Sequence, residues 1–300
     1  MWLLFSFSSA FLLGIYDVAK KRSLHDNAVI PVLLLNTIFS SLIFSPFIVA
    51  SFFSNSPFVG TYFQIPIGGW EIHKYVILKA FIVLSSWIFG YFGIKHLPLT
   101  IAGQINATRP VMVLVGALLL FGERLNIYQW VGVILSIFSI FMLSLVGKKE
   151  GINFRRNKWI FLIFIAAILG AISGLYDKYI MLKLNPLFVQ GWFNIYQMII
   201  MLIITFTLWY PNRSNTTPFV WRWSIPLISI FIVVADMFYF AALEHSESMI
   251  SIVSMIRRGS VLVSFTIGAL WFKEKNVRKK IPILIIILIG MVFLYLGTIQ

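Results

Sequence analysis

The stretch KHLPLTIAGQINATRPVMVLVGALLLFGER, residues Lys95 to Arg124, decides how this chain is read. It is apolar enough to lie in a bilayer, yet it carries Arg109 in its middle, followed at once by Pro110. An arginine at bilayer depth costs about 2.5 kcal/mol or more on insertion scales, so it is expected to face the protein interior or a wet cavity. A second version of the stretch, EHSESMISIVSMIRRGSVLVSFTIGALWFKEK, runs from Glu244 to Lys275, with His245 matching His96 and Arg258 matching Arg109. Two related segments, each with an arginine at the same depth, point to one central site built by two half-proteins.

Composition sets the surroundings of that site. The chain is 60% hydrophobic and 11% charged, with a mean hydropathy of +0.92. No soluble domain of this size buries that much apolar surface in one core, so the chain belongs in a membrane. Its apolar runs are roughly 20 residues long and do not alternate, which selects helices over barrel strands of about 10. The absence of cysteine excludes a disulfide framework, a thiolate metal site and thiol catalysis. A net charge of +14 raises the question of nucleic acid. The basic residues, however, sit between hydrophobic segments and form no aromatic-interleaved groove, so they read as topology signals and no nucleic-acid partner is expected. The N-terminus, MWLLFSFSSAFLLGIY, lacks the basic region and cleavage site of a signal peptide and is expected to stay as the first membrane helix. His25, His73, His96 and His245 fall near loops at spacings that make no metal site, and no catalytic or nucleotide motif is present. Neither an enzyme nor a cofactor is expected.

The fold class that follows is an all-α polytopic membrane protein with ten transmembrane helices. The expected spans are Trp2 to Ala19, closed by Lys20, Lys21 and Arg22, then Val29 to Phe53, Tyr75 to Ile94, Leu99 to Phe121 and Ile127 to Val146. After the polar break KKEGINFRRNK come Trp159 to Ile180, Leu187 to Tyr210, Ser224 to Leu243, Met249 to Phe272 and Ile281 to Ile299. Lys79 is expected to snorkel toward the headgroups. Pro57, Pro66, Gly60, Gly68 and Gly69 make the segment before Trp70 an irregular interfacial loop. The halves repeat: Ala10, Gly14, Tyr16 and Asp17 return as Gly170, Gly174, Tyr176 and Asp177, Asn36 as Asn194, GYFGIKH from Gly90 as YFAALEH from Tyr239, and Glu123 as Glu274. The expected units are residues 1–147 and 158–300, joined by a basic linker at 148–157. Each unit has an odd number of spans, so the second is inverted relative to the first, the construction plan of many secondary transporters.

With FGERLNIYQWVG (Phe121 to Gly132) and FKEKN (Phe272 to Asn276) closing corresponding helices before the last span of each unit, the chain resembles paired EamA domains of the drug/metabolite transporter superfamily. The resemblance extends over essentially the whole chain, although Gly259 stands where the first half has Pro110. It implies a transporter of amino acids and related metabolites, working in the efflux direction in a bacterial cytoplasmic (inner) membrane, with its N-terminus in the cytoplasm. The basic loops argue the reverse orientation. Residues 20–22, 148–158 and 273–280 hold over half of the 24 Lys and Arg residues, and the positive-inside rule puts them in the cytoplasm and both termini outside. The expected partners are a small-molecule substrate and the lipid bilayer, with monomer and homodimer both open.

Arg109 and Arg258 lead the candidate binding residues, because two guanidinium forks near the midplane suit a carboxylate or phosphate. The structural alternative is that each is neutralised by an internal acid and only ties helices together. Arg257, about 100° around the helix from Arg258, is expected to face elsewhere. Asp236 is the only acid deep inside a hydrophobic segment, and its repeat partner is Trp87. It reads as a proton-coupling carboxylate, a recognition group for a substrate ammonium, or the static partner of a neighbouring arginine. Asp17 and Asp177, beside Lys20 and Lys178, read first as interfacial residues or helix-end ion pairs. Tyr16, Tyr176, Asn36, Asn194, Gln104, Asn106 and Gln197 line a polar path or serve as interhelical hydrogen bonds. Ser251 and Ser254 share a face with Arg258, and Trp87 is a candidate for stacking or cation–π contact. The spacings Ala10 to Gly14 and Gly170 to Gly174 fit close helix packing. A lipid or polyprenyl-phosphate flippase and a non-transporting scaffold are the rival readings. The scaffold predicts midline charges that satisfy one another with no cavity between them.

Overall fold

The computed structural model describes residues 2–53, 58, 61, 64–109, 111–113, 115–116, 126–149, 152–181, 183–244, 253, 256–272 and 276–299. Among them the regular structure is helical: α1 (Trp2–Leu24), α2 (Val29–Ala50), α3 (Trp70–His96), α4 (Leu99–Asn106), α5 (Ile127–Lys149), α6 (Lys158–Met181), α7 (Pro186–Ile204), α8 (Ser224–Glu244), α9 (Ser260–Trp271) and α10 (Val277–Ile299). A π-helical turn, Thr205–Trp209, extends α7. Among the described residues seven helices are long and apolar enough to cross a membrane: α1, α2, α3, α6, α7 with its extension, α8 and α10. In hydrocarbon every backbone polar group must be satisfied within the chain, which the helix does locally. The protein is a polytopic helical bundle.

Side-chain partition follows from that solvent. Along α1, Leu4, Phe7 and Phe11 are exposed outward while Ser6, Ser9, Tyr16 and Lys20 are buried inward. The inward hydroxyls and amides bond across helices: Ser9 Oγ donates to the Ala235 carbonyl at 2.7 Å, Ser41 Oγ to that of Asn194 at 2.8 Å, and Gln190 Nε2 to that of Val233 at 3.0 Å. Such contacts, worth about 0.6 kcal/mol each, hold helices together where no hydrophobic contrast exists between core and lipid.

Helix ends have identifiable causes. α1 runs on through the basic cluster expected to close it, because Lys21 Nζ donates to the carbonyls of Ile94 (2.7 Å) and Leu97 (2.6 Å) and so caps the C-terminus of α3. The turn to α2 is made at Asp26, whose φ of 47° is left-handed. Asn185 caps α7, its Oδ1 accepting from the amides of Leu187 (2.9 Å) and Phe188 (3.1 Å), with Pro186 in the first turn.

The fourth and ninth spans are not the unbroken helices expected from Leu99 to Phe121 and from Met249 to Phe272. α4 stops at Asn106, four residues before Pro110, the spacing at which a proline has no N–H to offer a helical carbonyl. The Thr108 amide bonds to Ile105 O (3.2 Å) and the Gly259 amide to Ile256 O (2.9 Å), three-residue closures that interrupt both helices beside the arginines. Residues 117–125 and 245–252, which carry Glu123 and His245, lie outside the described residues.

α1 packs on α8 and α9, α3 on α6 and α7, α2 on α7 and α8, α4 on α6 and α9, and α5 on α10. Trp87 packs against both major apolar clusters of the bundle, one including Leu24, Val32, Ile94 and Ile228, the other Phe44, Val76, Phe188 and Val233.

Candidate functional site

A cavity of about 160 Å³ lies where α1, α3, α4, α6, α8 and the break before α9 converge. Its wall is built from one stripe per helix: Leu13, Tyr16, Asp17 and Lys20 on α1, Lys79, Val83, Ser86, Trp87 and Gly90 on α3, and Gly170, Ser173, Gly174 and Asp177 on α6. These three- and four-residue spacings place each set on one helical face. α8 contributes Asp236, Tyr239 and Phe240, and the two helix breaks contribute Asn106, Arg109, Arg257 and Arg258.

Of the residues singled out from the sequence, the structure brings Arg109, Arg258, Asp236, Trp87 and Tyr16 together around this cavity. Gln197 does not line it, and neither do four others. Gln104 is buried and donates to the Lys280 carbonyl at 3.2 Å, while Asn36 receives Ser229 Oγ at 3.1 Å. Asn194 Nδ2 donates to Gln190 O at 2.8 Å, and Tyr176 Oη donates to the Tyr75 carbonyl at 3.1 Å. All four serve packing between or along helices. Ser254, Ser251 and Glu274 lie outside the described residues.

Charge dominates the chamber. Asp17 accepts Lys20 Nζ at 2.6 Å, Asp177 pairs with Lys79, and Asp236 pairs with Arg257. Each of these cations also lies over aromatic rings: Lys20 over Tyr16 (4.2 Å), Arg257 over Tyr239 (4.1 Å), and Lys79 near Phe193 (4.9 Å) and Phe240 (5.2 Å). Arg109 Nη2 donates to the Ala166 carbonyl at 3.3 Å, and neither Arg109 nor Arg258 meets a carboxylate among the described residues. The Nε groups of both arginines are buried without a partner there.

Several expectations are corrected by this arrangement. Lys79 does not snorkel: its side chain is 3% exposed and its charge is met inside by Asp177. Lys20 is likewise buried rather than closing the helix in the headgroups. Asp177 is met by Lys79 of α3. Arg257 lines the cavity together with Arg258: the two are consecutive helical residues just before Gly259, and a step of about 100° does not keep side chains as long as arginine's out of one chamber. The glycines also divide. A Cβ at Gly14 would stand 2.5 Å from Val263 Cβ, so α1 and α9 do touch closely there. Gly170 instead seats the Arg109 guanidinium, 2.5 Å from where a Cβ would lie, and Gly174 has nothing within 4 Å. Lys79 was legible as a cavity residue only through the stripe Lys79, Val83, Ser86 and Gly90, polar and small at helical spacing within an otherwise apolar span.

A bundle of membrane-length helices around a charged central chamber is the build of a polytopic membrane transporter. The sequence profile of the EamA-like transporter family matches residues 1–145 and 157–296, and the chain belongs to that family, within the drug/metabolite transporter superfamily. Members of it are transporters rather than enzymes, and no cluster of His, Cys, Asp or Glu that could hold a metal ion occurs among the described residues. Twenty-four chains of solved structures match. One, titled "Crystal structure of protein", is 15% identical with a TM-score of 0.65, covering 98% of this chain and 96% of that one, a likeness of fold alone. Among curated proteins no match is found.

Proposed function

We propose that this protein is a secondary-active carrier that exports a small metabolite bearing an anionic group, such as an amino acid or a related compound, by alternating access. The carrying observation is the central cavity with Arg109 and Arg258 on its wall, each at a helix break and each without a carboxylate among the described residues. Interrupted helices carrying buried, unbonded guanidinium Nε donors are of the kind on which carriers build their substrate sites. Asp236 is the candidate for proton coupling. Trp87, Tyr16 and the two arginines would contact the substrate.

The helix contacts support two inverted five-helix units at 1–147 and 158–300. Exchanging α1 for α6, α2 for α7, α3 for α8, α4 for α9 and α5 for α10 turns the observed packing pairs into one another: α1 on α8 becomes α6 on α3, and α1 on α9 becomes α6 on α4. In this reading the basic loops lie in the cytoplasm of a bacterial cell, and both termini lie outside its cytoplasmic membrane. A scaffold fits less well, since it needs midline charges that cancel with no chamber between them.

The test is a thermal-shift screen of the purified protein against amino acids, nucleosides and sugar phosphates, repeated with Arg258→Ala. A solute that stabilises the parent and not the variant supports the reading. A stabilising solute whose effect survives both Arg258→Ala and Arg109→Ala removes the arginines from the site.

A further inference from the structure

Resting on the carrier reading above, we propose that the cavity selects small dianions, dicarboxylates or phosphomonoesters, over zwitterionic and monoanionic metabolites. Five cationic side chains line it, Lys20, Lys79, Arg109, Arg257 and Arg258, against three carboxylates, Asp17, Asp177 and Asp236. All three carboxylates are already engaged, by Lys20, Lys79 and Arg257 in turn. An entering ammonium therefore finds no vacant acid on the described wall and would have to displace a built-in cation from its partner. An entering anion meets the opposite situation. Two guanidinium groups remain without a carboxylate among the described residues, and their Nε donors are buried and unbonded.

Unpaired charge in a low-dielectric chamber is unfavourable and is relieved by a counter-charge of matching size. A surplus of two is neutralised by one dianion, whereas a monoanion leaves one guanidinium uncompensated and a zwitterion leaves both. The geometry of the donors agrees. Arginine presents a planar fork that takes carboxylate or phosphate oxygens two at a time. The fork of Arg109 is held in place by the bare backbone of Gly170 and by the Ala166 carbonyl. Of the roles the sequence offered for Asp236, this favours the static partner of a neighbouring arginine, since Arg257 occupies it and leaves it unavailable to a substrate ammonium.

The test uses the full chain in non-ionic detergent and chloride buffer near neutral pH, read by melting temperature and tryptophan fluorescence. The probes are succinate, glycerol 3-phosphate, propionate and glutamine, with dilauroyl phosphatidic acid carrying the phosphomonoester on a lipid. One further charge-assisted interaction corresponds to roughly 10- to 100-fold in affinity, so succinate or glycerol 3-phosphate is expected to bind tighter than propionate by that factor, and glutamine not to protect. Succinate alone or glycerol 3-phosphate alone names which dianion is taken. Protection by the lipid alone supports the same recognition and turns the carrier into a flippase. Arg109→Gln or Arg258→Gln is expected to bring the dianion and propionate near parity. If either fails to fold, Arg109→Lys and Arg258→Lys keep the charge and are expected to weaken binding while preserving the dianion preference. Glutamine or propionate binding as tightly as both dianions overturns the proposal and leaves the carrier reading standing. A protein protected by none of the probes, and by nothing in the wider metabolite screen, overturns both.

Discussion

Asp17 and Asp177 occupy corresponding positions in the two halves of the sequence, yet their charges are met in different ways. Asp17 takes Lys20 from the next turn of the same helix, and Asp177 takes Lys79 from α3, 98 residues away in the chain. The first pair is carried along by α1 whatever its neighbours do. The second ties a helix of the first half to one of the second, so relative movement of α3 and α6 must either keep the two helices together or separate a buried ion pair. Exposure follows the same division: the Asp17 side chain is 17% exposed, and those of Lys79 and Asp177 are 3% and 9%. Two equivalent carboxylates thus have distinct mechanical roles, one a local neutralisation and the other a clasp between halves.

The largest effect expected from breaking this contrast is at the clasp. Lys79→Met leaves Asp177 buried and unpaired and should cost about 3–5 kcal/mol, seen as a lowered melting temperature in detergent, with Lys79→Met/Asp177→Asn recovering much of the loss. Lys20→Met should cost less, about 1–3 kcal/mol, because Asp17 reaches water through the cavity. Equal losses at the two sites would remove the distinction. A double variant no better than Lys79→Met alone would show that the aromatic shell of Lys79, rather than its charge, carries the effect.

The membrane helices were legible because a span of roughly 20 apolar residues has no other stable destination. The early end of α4 at Asn106 was not read from the sequence, although Pro110, with no N–H to offer the carbonyl four residues before it, carried the signal. The partners of buried charges were not legible. Lys79 sits nine positions into α3, about 14 Å along its axis at 1.5 Å per residue, and the stripe it shares with Ser86 and Gly90 hints at an inward face without naming the acid on α6 that meets it. The spans are apolar on nearly all sides, so periodicity does not mark the inward face as it does in a soluble bundle. For the same reason polarity was a poor guide to the cavity. Asn36, Asn194, Gln104 and Tyr176 are polar because they join or brace helices, and they lie outside the chamber that Ser86, Gly90 and Gly174 help to shape. Arg257 was assigned the wrong side because a step of about 100° between neighbours does not separate two side chains as long as arginine's when the chamber they reach is wide.

A smaller and sharper test lies one turn before each carboxylate, at Gly14 and Gly174. Gly14→Ala drives a methyl group toward Val263 Cβ at 2.5 Å and the Ser260 carbonyl oxygen at 2.9 Å, neither of them a flexible tip. Overpacking of this kind costs about 1–3 kcal/mol, so a lowered melting temperature is expected.

Gly174→Ala should do the opposite. A Cβ there meets nothing within 4 Å, and the position lies inside α6, where replacing glycine by alanine restricts the unfolded chain and favours the helix by about 0.5–1 kcal/mol. A small rise in melting temperature is expected. Because Gly174 is part of the cavity wall, the same methyl group enters the chamber, so a solute that fills it should bind more weakly to the more stable protein. Stability and affinity moving in opposite directions would mark Gly174 as open wall. A loss of stability matching that at Gly14 would mean that α6 packs at this point as α1 does, and the two halves would be alike where the structure makes them differ.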